Sequence, residues 1–468
     1  MKNLRSLAEV RGRLDELGVD LPLADDVDPA GVLSTPIAFT DGSAGVRTAA
    51  NRFAVLPMEG WDGTAAGGST DLVRRRWRRF GAGGAGLVWG EATAVRPDGR
   101  ANPNQLVLDA TTVDGIAELR ALLDPAQVVG LQLTHSGRWS RPRGVPAPRT
   151  AYAHRVLDER AGATPGDVLT DGELDDLVED FVASAALAAE AGFDFVDVKH
   201  CHGYLLHELL TARDRPGRYG GDLAGRSQFL RAVTEGIRGR APGLAVAVRL
   251  SAFDLVPFAT GAGGVGVPVV EGPYDLAFGG DGTGLGIDLT ETHALLDLLT
   301  DLGIGLVSTT GGSPYYNPHA QRPAYFPPSD GYQPPEDPLV GVARHLAVAA
   351  EVAGRHPELV VVASGCTYLQ EWLPHAAQAV IATGGASMIG LGRMALSYPE
   401  LPADVLAGRP LQLRLLCRTF SDCTTAPRNG LVSGCYPLDG HYRDSPQRVV
   451  LARAKREARE RLGAKYEQ

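Results

Sequence analysis

The chain has 468 residues, 44% apolar and 21% charged, a globular mix that excludes intrinsic disorder. Its 55 acidic residues outnumber its 45 basic ones, and the net charge of −10 excludes a general nucleic-acid binder, which must neutralise phosphate with Lys and Arg. No apolar run approaches the roughly 20 residues that span a bilayer, and the N-terminal MKNLRSLAEVRGRLDEL is charged throughout instead of carrying a signal core, so a cytoplasmic protein without membrane contact is expected.

In chain order, Leu4, Leu7, Val10, Leu14 and Leu17 space out a short amphipathic helix, and Pro22 and Pro29 end it in a connecting arm, taken together as residues 1–35. From about residue 50 short apolar runs alternate with amphipathic stretches. The runs are RFAVLP (52–57), GLVWGEA (86–92), VVGLQLTH (128–135), FDFVDVKH (193–200), LAVAVRLS (244–251), GIGLVSTT (303–310), LVVVASG (359–365) and SMIGLGR (387–393). Helical patterns such as 173–192 and 291–303 lie between them. Eight buried strands in β-then-α order predict an α/β fold, a (β/α)8 TIM barrel over residues 36–410. A doubly wound sheet would want a Gly-x-Gly-x-x-Gly turn after its first strand, where PMEGWDGT stands instead.

Two stretches interrupt the rhythm: a Gly-rich one at 254–290 and one dense in Pro and aromatics at 311–338. Loops this long are usually lids or binding loops, and both follow a strand, on the functional face of a barrel. Residues 411–468 form a cysteine-containing helical extension, ending in a Lys/Arg/Glu-rich helix in which Glu457 and Arg461 sit four apart. That helix packs on the barrel or on another subunit, so a homo-oligomer is compatible with it.

The fourth run ends in Lys199-His200-Cys201-His202-Gly203-Tyr204. If the strand continues that far, alternation turns Lys199 and Cys201 one way and His200 the other. A lone histidine is more often a hydrogen-bonded core residue than a functional one, but here a cation, imidazoles and a phenol gather where a barrel strand ends. The His-x-His pair could also open a metal site, yet no third ligand stands nearby, and no metal is assigned.

From Tyr204 onward the chain resembles the Old Yellow Enzyme family of FMN-dependent ene reductases, closest to the branch containing bacterial 2,4-dienoyl-CoA reductase. The resemblance rests on Lys199, His202, Gly203 and Tyr204, then Arg218, Tyr219, Gly220 and Gly221. It is extended by NRFAVLPM (51–58), GEATAV (90–95), QLTHSGR (132–138), VRLSAFD (248–254), VASG (362–365) and IGLGR (389–393), all in family order. It implies one FMN, with Gln132 and Arg249 bonding the flavin ring, Pro57, Met58 and Ala92 lining it, and Gly365, Gly392 and Arg393 holding the phosphate. It further implies NAD(P)H as donor and an enone or enoyl thioester as small-molecule substrate, held by Lys199 and His202 and protonated by Tyr204. The reverse desaturation belongs to the same reading. The alternatives are a redox flavoprotein without alkene reductase activity and an amine-demethylating barrel.

The chain departs from the family in three places. Lys199 stands for the first catalytic His; it can polarise a carbonyl but cannot switch protonation near neutral pH without a large shift. Glu59 occupies a position that tunes the flavin; an anion against the ring would lower its potential, whereas a Glu59 pointing away would not. The segment 417–437 resembles the branch's cluster-binding stretch, but Phe420 stands where a ligand would, leaving Cys417, Cys423 and Cys435. A vestigial segment without an iron–sulfur cluster is expected, since a cluster wants four thiolates. Relatives of that branch continue into nucleotide-binding domains, whereas this chain ends at Gln468. Electrons are therefore expected directly from nicotinamide or from a separate partner.

Overall fold

The protein is described by a computed structural model covering residues 1, 4–42 and 44–462, with Arg461 and Leu462 described as helix backbone only. The Glu457–Arg461 pairing expected from the sequence therefore lies outside the described residues. Glu457 instead accepts from Arg453 Nε at 2.8 Å.

Every one of the eight apolar runs forms a strand. These are β1 (Phe53–Val55), β2 (Leu87–Ala94), β3 (Val128–Thr134), β4 (Phe195–Val198), β5 (Ala245–Phe253), β6 (Leu306–Gly311), β7 (Val360–Ala363) and β8 (Met388–Leu391). All pairings are parallel, and β8 pairs with β1 while β5 pairs with β6, so the barrel closes in sequence order. Side-chain alternation sorts the strands into two layers. Ala54, Leu56, Trp89, Phe195, Ala247 and Val362 fill the barrel, whereas Phe53, Val55, Val88, Leu131 and Val361 face the helices. An antiparallel hairpin, Ile37–Asp41 with Gly45–Ala49, plugs the N-terminal mouth, where Phe39 meets Phe195 edge-on at 6.2 Å.

Helices cover the outside. The principal ones are α1 (Leu7–Leu17), α2 (Asp71–Gly81), α3 (Val113–Ala121), α4 (Asp171–Glu190), α5 (Gln228–Arg240), α6 (Thr290–Asp301), α7 (Pro338–Arg355), α8 (Leu373–Ala382), α9 (Leu401–Leu406) and α10 (Gln447–Leu462). Capping boxes start two of them. In α1 the Ser6 hydroxyl and Glu9 carboxylate satisfy each other's backbone N–H, and Thr170 with Glu173 does the same in α4. The first helix and the C-terminal segment pack onto the barrel: Val10 and Leu14 of α1, and Leu416 and Cys417, lie in the outer core. The Gly-rich stretch after β5 is not all irregular, since Phe258–Thr260 and Gly266–Pro268 pair as a small antiparallel hairpin. Among the described residues no helix is long and apolar enough to cross a membrane.

Candidate active site

The carboxyl ends of the strands open into one cavity of about 800 Å³. Pro57, Met58, Glu59, Gln132, Lys199, His202, Tyr204, Arg249, Gly365, Gly392 and Arg393 all line it. Of the residues assigned to the cofactor or the substrate from the sequence, Ala92 alone is absent from the wall. It is 1% exposed beside its register partner Gln132, its carbonyl accepts from Gln105 Nε2 at 3.1 Å, and its methyl is shorter than the Met58 and Gln132 side chains that form the surface.

One part of the wall is built around Asp197, buried in β4. Its carboxylate accepts from Trp89 Nε1 at 2.9 Å, Gln132 Nε2 at 2.5 Å and the Arg249 backbone N–H at 2.7 Å. Burial pushes this carboxyl up to about 6, against those three donors. One amide N–H of Gln132 is thus committed to Asp197, leaving its oxygen and its second N–H for the cavity. Arg249, in the middle of β5, makes no ion pair among the described residues, and its buried Nε has no partner. It is a cation facing the cavity.

Another part carries the donors from the β4 loop. β4 stops at Val198, so the alternation argument ends there, and Lys199 reaches the wall while His200 and Cys201 do not. His200 takes the bland role: it is buried, with Nδ1 at 2.7 Å from the Val198 carbonyl. His202 adopts a left-handed backbone, φ 67°, which an L-residue holds only under restraint. The restraint is Ser251 Oγ accepting from its N–H at 3.0 Å and Ser313 Oγ donating to its carbonyl at 2.8 Å. Its imidazole Nε2 lies 3.4 Å from Thr310 Oγ1 and 3.3 Å from Gln321 Nε2. Burial, helped by the charges of Arg249 and Lys199, holds its pKa well below the usual histidine range, so the ring is neutral.

Lys199 Nζ sits 3.7 Å from the centroid of the Tyr204 ring, a cation–π contact. Burial lowers its pKa, while Glu59 opposes the shift. The Tyr204 hydroxyl is 2.9 Å from that of Tyr315, and Tyr315 stacks on Trp139 at 4.6 Å. Burial keeps the Tyr204 phenol protonated, with a pKa well above its usual value. Glu59 lies on the same wall; desolvation raises its carboxyl to about 7, and its Oε2 is buried without a partner.

Several wall residues carry no signal of their own in the sequence. Tyr315, Gln321 and Arg322 come from the Pro- and aromatic-dense stretch, whose composition marks a binding loop but not which side chains turn inward. Thr424 and Arg428, beside Cys423, which the sequence marked only as a possible metal ligand, belong to the C-terminal segment, which reaches the cavity from more than 150 residues beyond β5. Phe420, in the place of a thiolate, stacks on Phe326 at 5.6 Å, and Cys417, Cys423 and Cys435 are free thiols whose pKa values burial raises. Among the described residues no three His, Cys, Asp or Glu side chains are arranged to hold a metal ion.

The glycines and the arginine after β7 and β8 stand where (β/α)8 barrels commonly bind phosphate, and polar side chains from β3 to β5 face the same cavity. Residues 36–264 match the NADH:flavin oxidoreductase / NADH oxidase family, and the chain belongs to it, the family of the Old Yellow Enzyme. It is similar to a metal reductase from Desulforamulus reducens, 27% identical over 434 residues, which cover 90% of this chain and 54% of that protein. It is also similar to an NADPH dehydrogenase from Bacillus subtilis, 31% identical over 227 residues, or 47% of this chain and 64% of the relative. The chain thus spans between half and two thirds of the length of these curated relatives. Among solved structures, a 2-naphthoyl-CoA reductase complex shares the fold with a TM-score of 0.67 at 17% identity, covering 88% of this chain and 57% of the other.

Proposed function

We propose that the protein is an FMN-dependent oxidoreductase that passes hydride from NAD(P)H to an electron-poor alkene conjugated to a carbonyl. The residues fit that cofactor. Arg249 Nε and Arg393 Nη1 are buried without partners, as donors awaiting a ring edge and a phosphate would be. At Gly392 a Cβ would meet only Met58 Sδ, at 3.6 Å, so the backbone is open to close approach. Bound FMN supplies a two-electron centre that a nicotinamide can reduce and an alkene can reoxidise.

The chain's own residues do the rest. Lys199 Nζ and His202 Nε2 hold the substrate carbonyl oxygen and stabilise the negative charge that grows on it as the β-carbon is reduced. The Tyr204 hydroxyl gives the α-carbon its proton and recovers one through Tyr315. The balance is one hydride and one proton added across the double bond and one NAD(P)H consumed. A cationic amine is a poor guest beside Lys199 and Arg249, which favours the alkene reading over amine demethylation.

The observation that carries the proposal is that Lys199, His202 and Tyr204 share one cavity with Gln132, Arg249 and Arg393. Rapid-mixing spectroscopy of the FMN-loaded protein tests it. Bleaching of the flavin band by NADH or NADPH, then its return on anaerobic addition of cyclohexenone, is expected. A flavin that is reduced but not reoxidised by any enone or enoyl thioester would leave only a redox flavoprotein, and a protein that binds no FMN would end the reading.

A further inference from the structure

The loops after β2 and β3 build a polar corner of the cavity apart from the groups assigned to the cofactor. Asn102, 3% exposed, and Arg141 both line the cavity there. Asn102 Oδ1 accepts from the Asn104 backbone N–H at 2.8 Å, so the other end of its amide is the NH2 group. That Nδ2 is buried without a partner. A buried amide N–H without an acceptor carries its full desolvation cost, which an acceptor entering the cavity removes. Arg141 makes no side-chain hydrogen bond or ion pair among the described residues.

The corner is firmly built. The Arg141 backbone N–H donates to the Arg100 carbonyl at 2.8 Å and ties the two loops together. Arg100 Nη1 donates to the Ala65 and Pro103 carbonyls at 2.9 and 3.0 Å, and Asn104 Nδ2 donates to the Gly63 carbonyl at 2.8 Å. The turn that carries Arg141 closes through the Gly144 N–H to the Arg141 carbonyl at 3.0 Å and the Ala147 N–H to the Ser140 carbonyl at 2.9 Å. It also stands beside the proton donor. Trp139, on the same loop, stacks on Tyr315, whose hydroxyl is 2.9 Å from that of Tyr204. Burial raises the Tyr315 phenol to about 12; its hydrogen bond with Tyr204 and the charges of Arg428 and Arg141 oppose the shift, so Arg141 is within electrostatic reach of the pair.

The charge of the wall favours an anion. Six cationic side chains line the cavity against three carboxylates, in a chain whose net charge is −10. Two of those carboxylates are taken, Asp62 by Arg76 and Asp330 by Arg428. On the side of β2 and β3, Arg141 is the wall cation, and no carboxylate answers it among the described residues. A guanidinium and an amide N–H on adjoining loops suit the two oxygens of a carboxylate.

We propose that Asn102 and Arg141 form a carboxylate-receiving subsite, so that the favoured substrate is an enone or enoyl group carrying a carboxylate outside the conjugated unit. The proposal rests on the alkene-reductase reading and names its substrate class. With the carbonyl oxygen at Lys199 and His202 and the carboxylate at Arg141, the alkene is fixed at both ends beside the Tyr204–Tyr315 pair. The adenosine phosphate of NADPH lies a whole dinucleotide away from its nicotinamide, so a corner next to the proton donor suits a small substrate carboxylate better.

Stopped-flow reoxidation of the reduced, FMN-loaded protein tests this. The probes are cyclohexenones bearing a carboxylate on either saturated ring carbon not adjacent to the carbonyl, and their methyl esters, which lack the charge. Wild type should reach half-maximal reoxidation at a ~10-fold or more lower concentration of at least one acid than of its ester. The preference should shrink with added salt, because Arg141 is exposed. Arg141→Gln should abolish the acid-over-ester preference, and Asn102→Ala should reduce it severalfold. If Asn102→Ala does not fold, the near-isosteric Asn102→Asp serves instead and should turn the preference toward the ester. Calorimetric titration of the oxidised protein with the corresponding saturated keto acids and esters should show the same preferences without turnover. Equal use of acid and ester by wild type, or a preference that survives Arg141→Gln, would overturn the subsite and leave the alkene reading standing. A changed NADPH-to-NADH ratio of flavin reduction in Arg141→Gln would give the arginine to the donor's phosphate and overturn it as well. Reoxidation by none of the acids or esters would overturn both readings.

Discussion

At the residue scale the cavity sets ionisable groups against their usual states. His202 is neutral and Tyr204 protonated because burial disfavours their charged forms. Lys199 therefore supplies the local positive charge on the donor side, where relatives of the resembling branch place a histidine. Glu59 is the group most exposed to a pH change. Its carboxyl titrates at about 7 in the folded protein against 4.5 as its ordinary value. A carboxyl raised in this way favours folding fully below the unfolded pKa, and that contribution is lost as pH climbs from 4.5 through 7. Glu59→Gln should therefore raise the melting temperature of the flavin-free protein at pH 8 and leave it nearly unchanged at pH 5. Scanning calorimetry at the two pH values checks this, and an equal shift at both would show that Glu59 stays protonated throughout.

At the element scale the strands were legible and the loops were not. All eight barrel strands start inside the apolar runs, and β2, β5 and β6 extend one or two residues past them, because a strand buried on both faces must be largely apolar. The β2 bulge escapes such reading. Register slips between Gly90 and Ala92, and Glu91 turns outward to accept from Arg76 Nη2 at 2.7 Å and Trp77 Nε1 at 2.8 Å. Arg76 also donates to both Asp62 oxygens, at 2.6 and 3.0 Å, so one buried guanidinium ties α2 to β2 and to the loop after β1. Arg76→Met would leave two buried carboxylates facing each other and should cost about 3–5 kcal/mol, read as a lower urea midpoint. A loss within ~0.5 kcal/mol, the range of ordinary surface changes, would show the network to be dispensable.

At the scale of the whole molecule the site is assembled from parts far apart in sequence. Lys199, His202, Gln132, Arg249 and Arg393 could be picked out because each lies in or just beyond a barrel strand, where chemistry-bearing side chains are sparse and position is set by the barrel. Tyr315, Arg322 and Arg428 could not, because a loop's composition does not encode its path across the mouth. The C-terminal segment shows the same limit. Its cysteines drew attention as metal ligands, whereas it adds Thr424, Arg428 and Ser433 to the cavity wall beside Cys423. With Phe420 standing where one of the four ligands would be, anaerobically purified protein should contain iron well below stoichiometric by elemental analysis. A full cluster per chain would show that a fourth ligand comes from elsewhere.

The central claim is that Lys199, His202 and Tyr204 act on the substrate and not on the flavin. Separate half-reaction kinetics on the FMN-loaded variants test it most directly. Lys199→Ala, His202→Ala and Tyr204→Phe should each slow flavin reoxidation by an enone ~10²–10³-fold, while flavin reduction by NAD(P)H changes severalfold at most. Equal and small effects of Lys199→Ala on both half-reactions would remove Lys199 from the active site and contradict the account.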